Sequence, residues 1–373
     1  MEEKKVTWLE LFFDLIFVAA ISKATHLLLH LEHGIIPFEY LLKFVLIFVP
    51  IWWAWVGQSL YVNRFGKDCV AQRWFIIMQM LFIILMTASL SVNFDQYYVS
   101  FLIGYVGIRF FTSMQYMWIS KQENGSRKTA AEYLGYGFLI GIAVSLCSIF
   151  LDSWVRYLIL YLGIFIDTIV PILGRRYLIK APTNTPHLLE RFGLFTIILF
   201  GESIVSLIAV LHPEKGSWDE ISFVLVSFTI VITMWWQYFD NVEKKVDKET
   251  ETTGQAIIYG HLFIYMSLSM IASTIQLAFS QNIHYLFLVI LVFVSTFIYF
   301  LSTTFVFHKY RFVKNRLKIY HLGLFMCILF AFLLFDLFIV VPNILIFVQL
   351  TVFFLIYTKV TLLELDIEKA ERD

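Results

Sequence analysis

The sequence predicts an all-α polytopic membrane protein, a bundle of about twelve transmembrane helices. Three observations carry that prediction. Of its 373 residues, 60% are hydrophobic and 15% are charged, whereas a soluble domain carries about 25% charged residues. The apolar residues gather in runs of about 20, the length that crosses a hydrocarbon core of roughly 30 Å. Basic residues crowd onto alternate segments between those runs, as they do on the cytoplasmic side of a membrane protein.

The spans run at about 8–30, 38–61, 72–92, 97–119, 130–150, 154–177, 188–211, 218–240, 256–279, 283–307, 318–340 and 342–363. The first follows a short EEKK head, holds two carboxylates and lacks a small-residue cleavage site. It is therefore expected to stay as a spanning helix and not to be removed as a signal peptide. Very short turns near Asn93, Gln281 and Pro342 force their flanking spans into antiparallel hairpins. Twenty-one of the 28 basic residues fall on one set of ends, among them Lys4, Lys5, Arg64, Lys67, Arg73, Arg127, Lys128, Arg175, Arg176, Lys244, Lys248, Lys309, Lys314, Arg316 and Arg372. The opposite loops hold Arg156 and Lys215. Both termini are thus expected in the cytoplasm, with the chain in a bacterial cytoplasmic membrane.

The chain also repeats itself. Glu10 and Glu190 lie 180 residues apart, and Trp52-Trp53 and Trp235-Trp236 lie 183 apart, each Trp pair in the span after its acidic helix. Pro182 and Pro186 interrupt the chain between them, because proline ends helices and favours extended backbone. The expected organisation is a six-helix repeat over 1–181, a linker over 182–187, a second repeat over 188–363 and a cytoplasmic tail over 364–373. Six is even, so the repeats are parallel, a pattern in which transporters place a solute site between halves.

Charges inside apolar runs are the candidate site residues, since each is costly in a membrane unless it meets a partner or water. They are Glu10 and Asp14 in the first span, Arg109 in the fourth, Asp167 in the sixth, and Glu190, Arg191 and Glu202 in the seventh. At about 100° per residue, Glu10 and Asp14 share one helix face, and Glu190, Arg191 and Glu202 fall within roughly a third of the circumference. Arg109 requires a carboxylate, with Asp14, Asp167 and Glu202 as the candidates. Carboxylates in excess over basic groups would leave one able to carry a proton, while a pair that only fixes helix register is the bland alternative. His187 and Glu190 read as solvated groups at a helix mouth, Asp240 as a boundary residue, and His261 and Asp336 as interface residues. The tryptophans read as packing or belt residues.

Other classes are disfavoured. Formal net charge is zero, so no nucleic-acid partner is expected. Cys69, Cys147 and Cys327 are scattered, without disulfide framework or metal spacing. His26 and His30 have i, i+4 spacing but no third ligand, so neither a metal nor another cofactor is expected. There is no Walker loop, nucleophile elbow or dinucleotide fingerprint, and the loops are too short for a catalytic domain, so an enzyme is disfavoured. The expected partners are the lipid bilayer, a small solute or ion, and a second copy of the chain.

WLELFFDLIFVAAI in the first span, HLLERFGLFTIILFGES in the seventh and MWWQYFD in the eighth closely resemble the signatures of the bacterial low temperature requirement A proteins. That resemblance implies a multi-pass bacterial membrane protein linked to growth in the cold, and no reaction. A weaker similarity is to potassium channels built from two six-helix repeats whose first helix carries Arg-Phe-Ser-Asp. Here the corresponding place reads Phe12-Phe13-Asp14. The function expected from these readings is a proton- or ion-coupled secondary transporter with a buried acidic and arginine site between repeats. A cation channel and a membrane-embedded lipid-handling enzyme are the alternatives.

Overall fold

The computed structural model describes residues 4–91, 94–212, 217–249, 252–280, 282–308, 310–311 and 317–370. The turn residues Asn93 and Gln281 and the basic residues Lys215, Lys309, Lys314, Arg316 and Arg372 lie outside them. Thirteen α-helices occur among the described residues, twelve of them long. They are α1 Trp8–His26, α2 Phe38–Phe65, α3 Val70–Ala88, α4 Phe94–Ser120, α5 Gly125–Cys147, α6 Val155–Leu173, the single turn α7 Arg175–Leu178, α8 Thr185–Val210, α9 Trp218–Asp240, α10 Gln255–Ser280, α11 Tyr285–His308, α12 Ile319–Phe338 and α13 Asn343–Ala370. The only extended pairings among these residues are isolated bridges. The chain is a polytopic helical membrane protein.

Eleven of the twelve long helices are apolar enough to cross a membrane by composition alone. The exception, α4, has the length but is diluted by Arg109, Thr112, Ser113, Gln115 and Tyr116, all of them buried. A helix that turns its polar residues toward protein does not need the composition of one that turns them to lipid.

By packing, the chain divides into two compact units. One comprises 1–24, 45–192 and 249–258, and the other 25–44, 193–248 and 259–373. In the first unit α3 packs on α4, α4 on α5 and α5 on α6. Small residues set the α5–α6 approach: a Cβ on Gly141 would lie 2.8 Å from the Gly163 carbonyl oxygen, and one on Gly163 2.7 Å from that of Gly141. Small residues at a membrane helix crossing let the backbones come this close. Pro50 sits inside α2 and cannot donate to Leu46, one turn back. The Tyr161 hydroxyl of α6 donates to that carbonyl instead, at 2.7 Å. In the second unit α9 packs along α13, and α12 lies against both α11 and α13. Ser217 caps the start of α9, its hydroxyl accepting from the Glu220 N–H.

Candidate functional site

The first unit contains two buried charge centres, and α2 presents a tryptophan to each. Trp53 and Trp55 are two residues apart, so they leave α2 on nearly opposite sides.

In the first centre Arg109 of α4 meets Asp167 of α6. Arg109 Nε donates to Asp167 Oδ2, and Nη2 donates to Oδ1 at 3.2 Å. The Trp53 indole and the Tyr105 hydroxyl each donate to Oδ2 at 3.0 Å. The guanidinium lies over Phe138, 4.4 Å from its ring centre. Its Nη1 abuts Gly57 of α2, where a Cβ would collide with it. Of the three partners considered for Arg109, the structure selects Asp167. The centre holds one charge of each sign, and both side chains are essentially inaccessible.

The second centre joins α1 to α8. Arg191 Nη1 and Nη2 donate to Asp14 Oδ2 and Oδ1, each at 2.8 Å. The Trp55 indole donates to Asp14 Oδ1 at 2.7 Å, and Arg191 Nη2 also reaches Ser59 at 3.3 Å. Glu10 stands one turn before Asp14. Its Oε1 accepts from the Thr7 N–H and hydroxyl at 3.1 and 3.0 Å, the reciprocal half of a capping box at the start of α1. Its Oε2 faces His187 Nε2 at 3.3 Å and Arg191 Nε at 3.5 Å. The centre therefore holds two carboxylates, one guanidinium and an imidazole.

A cavity of about 580 Å³ adjoins this second centre and has Glu10 in its wall, with Lys4, Lys5, Thr7, Lys67, Asp68 and Arg73 around it. The Lys4 ammonium is held by the carbonyls of Val62 and Gly66 at the C-terminal end of α2, the negative end of the helix dipole. Burial lowers the Lys4 ammonium below the ordinary lysine range, and the Glu10 charge opposes that shift.

The predicted residues thus sort into three sets. Glu10, Asp14 and Arg191 come together, Arg109 and Asp167 come together, and Glu202 is buried in the second unit. Glu190 is exposed. His187, expected at a solvated mouth, is instead fully buried against Glu10. The interface readings of His261 and Asp336 are corrected as well, while Asp240 closes α9 as the boundary residue expected. Asp240 is buried and pairs with Lys245 at 2.8 Å, and His261 is buried against the Tyr238 hydroxyl at 2.8 Å. Asp336 is buried and accepts from Gln349 at 2.9 Å. Each has a polar partner, one helix away for His261 and Asp336 and just past the end of α9 for Asp240, that makes burial affordable, and no hydropathy pattern reveals such a partner. Trp53, Trp55, Ser59 and Asn63 were missed as site residues. The indole N–H of each tryptophan was the available signal, since a buried one seeks an acceptor.

Over 294 residues, 75% of this chain and 70% of its counterpart, the sequence is 24% identical to the uncharacterized protein RA0937 of Rhizobium meliloti (strain 1021). The family model for the bacterial low temperature requirement A protein (LtrA) matches residues 5–357. That stretch includes α1 with Glu10 and Asp14, α8 with Arg191, and the helices that supply Trp55, Arg109 and Asp167; the chain belongs to the LtrA family.

Proposed function

We propose that this protein is a proton-coupled secondary transporter whose protonation site is the Glu10, Asp14, Arg191 and His187 centre. One observation carries the reading: Glu10 touches the buried charge network on one side and lines a cavity on the other. A coupling group needs both features. It must be reachable by a proton, and its charge must matter to groups that hold helices together. Removing the Glu10 charge alters the balance around Arg191, which links α8 to Asp14 of α1. In sequence terms these are the opening helices of the two six-helix repeats, which fits the proposed parallel duplication with both termini cytoplasmic. The transported solute is small, and the host is the bacterial cytoplasmic membrane.

Proteoliposomes containing the purified protein test this directly. Dye-reported proton movement driven by a solute or ion gradient is expected in the wild type and absent in Glu10→Gln. Wild-type vesicles that hold a proton gradient unchanged across a panel of cations and small solutes would overturn the proposal.

A further inference from the structure

The geometry assigns His187 a single protonation form, the neutral imidazole with its hydrogen on Nε2, and makes Asn63 the residue that enforces it. This inference rests on the transport reading only for its consequence, not for the assignment itself.

The Asn63 amide has its orientation set from both ends by the backbone of Asn184. Its Oδ1 accepts from the Asn184 N–H at 2.9 Å, and its Nδ2 donates to the Asn184 carbonyl at 2.8 Å. A flipped amide would set N–H against N–H and oxygen against oxygen. The second Nδ2 hydrogen points at His187 Nδ1, 3.1 Å away. That nitrogen must therefore accept, so it carries no hydrogen. The remaining nitrogen, Nε2, holds the only hydrogen and lies 3.3 Å from Glu10 Oε2. Asn63 is 4% exposed and His187 is fully buried, so water does not compete. The charged group that faces the imidazole is Glu10 of α1, and Glu10 in turn faces Arg191 of α8, which holds Asp14.

The consequence concerns Glu10. If the Glu10 carboxylate takes up a proton on Oε2, that oxygen becomes a hydroxyl beside His187 Nε2 and Arg191 Nε. A free imidazole would adapt by moving its hydrogen to Nδ1 and accepting from the new hydroxyl. Asn63 opposes that exchange, so protonation of Glu10 weakens its contact with α8 while Arg191 still holds Asp14. Asn63 is thus a positioning residue, acting through His187.

The test is nitrogen NMR of the full chain in lipid nanodiscs, labelled at the histidine ring, with His187 identified by its disappearance in His187→Gln. The expected spectrum shows one bare and one protonated nitrogen, with Nδ1 bare. In Asn63→Asp the new carboxylate accepts from Nδ1, and that nitrogen of the same ring should become protonated. A wild-type His187 with hydrogen on Nδ1 would overturn the assignment whether or not the protein transports. Absent flux with the expected spectrum would overturn the transport reading alone. Should Asn63→Asp fail to fold, the wild-type spectrum still decides.

Discussion

The Arg109–Asp167 centre and the Glu10–Asp14–Arg191–His187 centre are built from the same kinds of residue and border the same helix, yet they suit opposite tasks. The first is balanced. One guanidinium faces one carboxylate, three N–H or O–H groups besides Nη2 saturate the acceptor, and aromatic rings with Gly57 close the rest. A buried pair of this kind seldom adds net stability over an apolar core, because desolvation offsets attraction, but losing either partner strands a charge. The second is unbalanced and adjoins a cavity through Glu10. Balance and closure make a register pin, whereas excess acid and an opening make a group that can change state.

The largest expected effect breaks the first centre. Asp167→Asn or Arg109→Leu should cost about 3–5 kcal/mol, because each leaves an unpaired buried charge or its unmet donors. Thermal unfolding in detergent would report this as loss of folded yield. The paired change Arg109→Met with Asp167→Leu should recover much of it. If the double variant is no better than the singles, the pair is not the unit described here.

Gly57→Ala attacks the same centre without touching a charge. The added methyl occupies the space of Arg109 Nη1, and overpacking of this kind should cost about 1–3 kcal/mol. In the second centre, Trp55→Phe removes one of three N–H donors to Asp14 and should cost about 1.5–3 kcal/mol, as expected for a hydrogen bond to a charged group. Glu10→Gln sharpens the contrast most cleanly. Its side chain can still accept from Thr7, so melting should change far less than in Asp167→Asn while proton-linked flux is lost. A variant that unfolds as readily as Asp167→Asn would erase the distinction between the centres.

The smallest effect lies outside the spans. Glu123, between α4 and α5, is held below the ordinary carboxylate range by its hydrogen bond from Arg127, with burial opposing and the charges of Arg127 and Lys67 assisting. A depressed folded value means its stabilisation is fully present above the unfolded value of about 4.3 and is lost as pH falls through the folded one. Glu123→Gln should cost less than about 1 kcal/mol at neutral pH and should flatten the acid limb of a melting curve measured against pH.

The MWWQYFD stretch shows how far a motif can be read in advance. Its Trp235 and Trp236 match Trp52 and Trp53 in spacing, but they are 41% and 50% exposed, whereas Trp52 and Trp53 are fully buried. What faces the interior of the second unit is Met234, Gln237, Tyr238 and Asp240, spaced for one helix face. There Gln237 donates to the Tyr357 hydroxyl at 3.0 Å. The Thr7-x-x-Glu10 capping signature stood in the open and fixes one oxygen of Glu10, which hydropathy alone treated simply as a charge in a span.

Sequence by itself determined the fold class and the positions of the twelve long helices, because length, hydropathy and helical period are properties of one segment at a time. It also determined that Glu10 and Asp14 share a face. Tertiary structure decided the rest. It paired Arg109 with Asp167 and Arg191 with Asp14, turned Glu190 outward, and buried His187 under an amide that dictates its hydrogen. Those outcomes depend on which helices meet, and a charge finds its partner through space, across 58 residues in one case and 177 in the other.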